Sequence, residues 1–223
     1  MIEKPRGRFS ITLEATIWNV LPVPGRPWVI VEERNDNARL VSVSAINYEN
    51  ETLVWKTNSL AETWWINLVR VTPDQVHLKI FENTSNPDKT YWQILAMESG
   101  EDIQETPKIE TKHTNEAIYP FQYLAGEADF ETIKTFLTRQ LNVLPILGVE
   151  YTEYVDFVFI SYYFGSPGMF NNNLACFKST GELLWQEEIG TNLKGIGVNT
   201  FFLVANQVFF VKNKTELVTF GIV

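Results

Sequence analysis

Few side chains in this sequence are of the types that do chemistry unaided. It has two histidines, His77 and His113, and one cysteine, Cys176. His77 lies in the alternating run VHLKIF and is expected to face solvent or a sheet edge, whereas His113 lies in the polar run IETKHTNEA, expected to be a loop. Neither is accompanied by a serine or cysteine motif from which a nucleophile–base pair could be built. There is no HExxH, no paired cysteine and no Asp-rich calcium loop, so the common metal sites lack their ligands. GSPGMFNNN and GTNLKGIG lack the lysine and the strand-to-helix setting of a phosphate-cradling loop. The expectation is a protein that carries no metal, quinone, flavin or nucleotide.

What remains is aromatic rings beside amides, in YPFQY (Tyr119–Tyr123) and SYYFGSPGMFNNN (Ser161–Asn173). Rings that stack and amides that hydrogen-bond can hold sugars, peptides or other small polar ligands. That makes Tyr119, Phe121, Tyr123, Tyr162, Tyr163, Phe170 and Asn171 the candidate binding residues. The competing reading of the same stretches is strand-end core aromatics followed by a long loop, since Pro, Gly and Asn are ordinary loop residues. Cys176, in the run L-A-C-F, reads as a buried, inert strand residue.

The elements that must position these residues read as strands. From Arg26 to Trp55 the chain runs PWVIVEE, turn, RLVSVSAI, turn, TLVW, with β-branched and aromatic residues in the strands and Asn, Asp and Gly at the breaks. The order recurs from Thr63 (WWINLVRVT, VHLKIFE, TYWQILAM and a short IQET). It recurs again from Val149 (VEYTEY, VDFVFISYYF, the loop GSPGMFNNN, LACFKS, ELLWQEE), and the chain ends on TFFLVAN, QVFFVKN and ELVTFGIV. Three passes and a shortened fourth predict a repeat architecture. Asn50, Asn83 and Asn213, each in an Asn-x-Ser/Thr setting, read as turn residues.

Spacing sharpens the repeat. Counting from Ala175, Gly181 stands at +6 and Trp185 at +10; counting from Ala45, Asn50 stands at +5, Glu51 at +6 and Trp55 at +10. The stretch AMESGEDIQ is a weaker copy, shorter and ending in Gln104. The pattern resembles the outer-strand motif of quinoprotein-type β-propellers, in which Ala, Gly and Trp at these offsets let each blade dock on the next. Phe177 stands where that family has aspartate, and Glu51 where it has glycine. Physically, the glycine relieves a turn that wants positive φ, and the tryptophan lays its ring across the neighbouring sheet. The resemblance implies an all-β, small β-propeller-like ring of about four blades, or five if the stretch between Gln104 and Val149 forms its own. A β-sandwich or an open arc of blades is the alternative. The quinoprotein cofactor site, which the resemblance would imply rests on a cysteine pair and a calcium ion, does not carry over to a chain with Cys176 alone. The chain is also similar, as a whole, to uncharacterised bacterial domain families of this size.

A single domain over residues 1–223 is expected, with Phe9–Leu21 as a lone strand, ending near Trp18, that closes the last blade and removes two exposed sheet edges. Trp18, Trp55 and Trp185 are the expected inter-blade docking residues. The one helix is expected within residues 127–142, where Phe130, Ile133, Phe136, Leu137 and Leu141 recur at helical spacing and pack on a sheet face or ring opening.

Composition bounds the function. A hydrophobic content of 45% with 13% aromatics is ample for a core, and 18 basic against 27 acidic residues leave a net charge of −9, which repels nucleic acid and anionic lipid. No apolar run approaches a membrane span and MIEKPRGRF lacks the apolar core of a secretory signal, so a cytoplasmic location is expected. The leading functional expectation is a non-catalytic protein-interaction module. The alternatives are a small-ligand or glycan-binding domain and a carboxylate-based hydrolase, the latter marked by two carboxylates facing each other in one pocket.

Overall fold

The computed structural model describes residues 7–57, 60, 64–82, 88–103 and 117–222. His113 and Asn83, and most of the expected IQET strand, lie outside the described residues. The described chain is all-β with one helix, its strands gathered in four antiparallel sheets, none closed into a barrel. Two compact units divide it: Phe9–Ala117, and Met1–Arg8 with Ile118–Val223. No helix among the described residues is long and apolar enough to cross a membrane.

In the first unit the expected lone strand Phe9–Leu21 is two, β1 (Phe9–Thr12) and β2 (Thr16–Pro22). β2 pairs with β3 (Trp28–Asn35), which pairs with β4 (Leu40–Asn47) and that with β5 (Thr52–Lys56), in the order β2-β3-β4-β5. A second sheet is the meander β6 (Ile66–Val71), β7 (Gln75–Phe81), β8 (Thr90–Ala96). Ile30, Val43 and Ala45 of the first sheet share one core with Ile66, Val76, Leu78 and Leu95 of the second.

Trp55 is one tie between these two sheets. Its indole N–H donates to the Met97 carbonyl at 2.6 Å, and its ring lies over Gly100, where an added Cβ would stand 2.5 Å from the ring. Gly100 has φ +70°, so glycine is required there twice over, for the turn and for the close approach. Glu51, at the motif's glycine position, has φ +57°. A non-glycine residue holds the left-handed turn conformation there.

Trp18 differs from expectation. It is 60% exposed, because it sits on an edge strand at the pairing irregularity between Ile17 and Asn19, and the Arg34 guanidinium stacks over its ring at 4.4 Å. His77 also differs: it is buried and its Nε2 has no hydrogen-bond partner. β7 is the central strand of its sheet, and Val76, His77 and Leu78 are buried in succession, so alternation there marks two covered faces rather than a wet one.

The second unit holds β9 (Phe121–Leu124), α1 (Ala128–Leu141), β10 (Ile146–Tyr154), β11 (Phe157–Ser166), β12 (Met169–Lys178) and β13 (Leu183–Leu193), the strands ordered β13-β12-β11-β10-β9. β9 joins this sheet, so the described part of the stretch between Gln104 and Val149 forms no sheet of its own. A meander of β14 (Phe201–Val204), β15 (Gln207–Lys212) and β16 (Glu216–Gly221) follows. The large sheet is covered on both faces. Phe159, Leu174, Cys176 and Trp185 pack with Phe210, Val218 and Phe220, while Ile160, Ala175 and Phe177 pack with Phe130, Ile133 and Leu137 of α1. Period-2 alternation therefore reads here as sheet side against helix side. Trp185 meets Phe220 edge-on at 4.7 Å, and Gly181, at the motif's glycine position, has φ +90°.

Candidate functional site

The expected loop GSPGMFNNN is strand. β11 and β12 stay in register through Phe164↔Asn171 to Ser166↔Met169, and the hairpin turns at Pro167 and Gly168, where Gly168 has φ +82°. The asparagines that looked like loop residues are instead side-chain partners inside the sheet. Asn172 accepts a hydrogen bond from Ser161 Oγ at 3.0 Å and Asn173 donates to Tyr162 Oη at 3.4 Å.

The candidate aromatics consequently separate. Tyr162 and Tyr163 are fully buried, and Phe170 is nearly so. Tyr163 Oη accepts the Gly197 N–H at 2.8 Å, and burial holds its phenol up to about 12. Asn171 accepts from the Asn192 N–H at 3.4 Å, and Tyr119 packs on Phe202 at 5.8 Å. Burial alone raises the Tyr119 phenol. Phe121 is 69% exposed on edge strand β9. Tyr123, half-buried on β9, lines a cavity.

That cavity, of about 610 Å³, is a groove between α1 and the outer part of the large sheet. Asp129, Thr132, Ile133 and Phe136 of α1 form one wall; Tyr123, Tyr151, Glu153, Val158 and Ile160 form the floor; Val155, Phe157, Lys178 and Ser179 close one end. The floor follows from register. Tyr151 pairs with Phe121 and Ile160, and Glu153 with Val158, so these side chains share the face that α1 only partly covers. α1 begins with Asp129 and Glu131 in its first turn and ends on Asn142 in the left-handed region. The Tyr151 hydroxyl donates to the Glu153 carboxylate. Desolvation first, and that hydrogen bond to a neighbouring charge second, push the Tyr151 phenol far above its ordinary value.

At the groove's mouth Val155 is 80% exposed and has φ +54°. It occupies the first position of the two-residue turn between Tyr154 and Phe157, where Asn or Gly is the ordinary choice. A β-branched residue in the left-handed region is strained, at a cost on the order of 1–3 kcal/mol.

Asp129 and Glu153 are exposed, whereas the buried carboxylates are structurally committed. Glu150, raised by desolvation, accepts the backbone N–H groups of Asn199 and Thr200 and the Thr200 hydroxyl, pinning the loop before β14. Glu32, also raised by desolvation, accepts from the Leu68 N–H at 2.8 Å and from Arg34 at 2.7 Å. Glu33 accepts from Ser44 at 2.8 Å and Lys56 at 3.0 Å. Among the described residues no group of three or more His, Cys, Asp or Glu side chains could hold a metal ion. Cys176 is buried, and desolvation lifts its thiol to about 12.

The groove residues Asp129, Tyr151, Glu153 and Val155 carry no motif. The signal for two of them was present in VEYTEY, where Tyr151 and Glu153 fall on one face of a strand, but nothing in the sequence says that α1 leaves that face partly uncovered.

No curated protein and no solved structure matches this chain, and no quinoprotein or propeller family is recognised in it. The model of one family, a domain of unknown function (DUF4905), matches residues 24–101, the part that carries β3 to β8.

Proposed function

We propose that this chain is a non-catalytic protein-interaction module on a propeller-like scaffold, with the α1 groove as its contact surface. The observation that carries this reading is Val155: an exposed, apolar, strained side chain is kept at the mouth of the groove where an unstrained polar residue would serve the fold better. Strand addition at the nearby sheet edge is a poorer route. Pro120 has no N–H to offer before β9, and Glu127 takes both the N–H and the C=O of Leu124, at 2.8 and 3.0 Å.

A second reading, a small-ligand or glycan-binding groove, is favoured by the Tyr123 and Tyr151 rings lying with the Asp129 and Glu153 carboxylates in one cavity. The test replaces Val155 with a photo-crosslinking phenylalanine and irradiates it in an extract of the native cell. A discrete protein adduct that disappears when Thr132→Trp fills the groove is the expected outcome. No adduct, or one indifferent to Thr132→Trp, overturns the interaction reading.

A further inference from the structure

The groove's chemistry selects what enters it, given that it is a contact surface. Its charged groups are Asp129, Glu153 and Lys178, and the Lys178 ammonium is already taken by Glu182 at 2.6 Å. Neither Asp129 nor Glu153 has a cationic partner among the described residues. The Tyr151 hydroxyl holds the Glu153 carboxylate beside its own ring, and Tyr123, Phe136 and Phe157 add further ring surface. Ring faces and carboxylates together favour a cation, because the ring quadrupole and the negative charge act in the same direction. A planar guanidinium uses both at once, stacking on a ring while its fork of donors meets a carboxylate; an ammonium is a strongly hydrated point charge that does neither as well. The net charge of −9 would also steer a basic segment toward the protein.

We propose that the α1 groove receives an arginine side chain from a basic segment of a partner protein. This rests on the reading of the groove as a contact surface and adds the identity of the recognised group. The test is an NMR titration of the whole chain with three blocked pentapeptides, Gly-Gly-X-Gly-Gly, in which X is arginine, lysine or citrulline. The arginine peptide is expected to shift the amides of Asp129, Tyr151 and Glu153, with the lysine peptide at least threefold weaker and the citrulline peptide at least tenfold weaker. Asp129→Asn and Glu153→Gln should each weaken arginine binding at least fivefold, while Glu188→Gln, which removes the same charge at an exposed position on β13, should not. Circular dichroism and unfolding midpoints establish that each variant is folded. Equal binding of the citrulline peptide, or equal loss in the Glu188→Gln variant, overturns the arginine assignment. So does the absence of any shift in the groove. If the Val155 adduct persists and remains blocked by Thr132→Trp, only that assignment falls; if the adduct fails as well, the contact-surface reading falls with it.

Discussion

At the scale of single residues, the informative positions are those whose side chain and backbone disagree. Val155 is such a position, and Val155→Asn should relieve its left-handed strain and raise stability by about 1 kcal/mol. The same substitution should weaken whatever the groove binds. A denaturant midpoint that falls instead would mean the valine packs where it stands and is not held there at a cost. Trp185 is the opposite case, with side chain and backbone in agreement. Its ring is 7% exposed and meets Phe220 of the neighbouring sheet edge-on, so Trp185→Ala should cost about 3–5 kcal/mol in urea unfolding. A loss below about 1 kcal/mol would remove its role in tying the two sheets.

At the scale of elements, central strands behave differently from edge strands, and His77 shows it. β7 is covered on both faces, so the imidazole is desolvated, and burial first and the Arg70 charge second hold its pKa below 6.5. In the window between that depressed value and 6.5 the unfolded chain binds a proton that the folded chain does not. Stability therefore falls as pH drops through this window and is complete above it. The buried carboxyls of Glu32 and Glu150, with raised pKa, act in the opposite direction at acid pH. The prediction is thus a difference between two proteins: the unfolding midpoint of the native chain should decline from pH 7 toward pH 5 more steeply than that of His77→Leu. Parallel profiles would show that the imidazole is not titrating through unfolding.

At the scale of the whole molecule, the unit Phe9–Ala117 has a core of its own, from Ile30 and Val43 to Leu78 and Met97, locked by the Trp55–Met97 hydrogen bond. A fragment spanning 9–117 should fold cooperatively, with a tryptophan emission that changes in the same transition and an unfolding midpoint that Gly100→Ala lowers. A fragment without a cooperative transition would show that this core is insufficient alone. The family match over residues 24–101 covers β3 to β8 of this unit, whereas the groove lies in residues 123–181, outside it.

Several things were determined by the sequence alone. Strand alternation, turn residues at the breaks and the 3.6-residue period of EADFETIKTFLTRQLNVL place nearly every strand and the helix, because these signals are local. The Ala–Gly–Trp spacing, through its resemblance to a propeller blade motif, implied that Trp55 and Trp185 tie sheets together, and both rings do pack against a neighbouring sheet. Tertiary structure decided the rest. Asn172 and Asn173 were read as loop because their partners, Ser161 and Tyr162, lie across a hairpin; Trp18 and His77 were misplaced because exposure depends on which strands become edges. The groove was invisible for the same reason: Asp129, Tyr151, Glu153 and Val155 meet only when α1 crosses the sheet, and no run of neighbouring residues records how much of a face a helix leaves open.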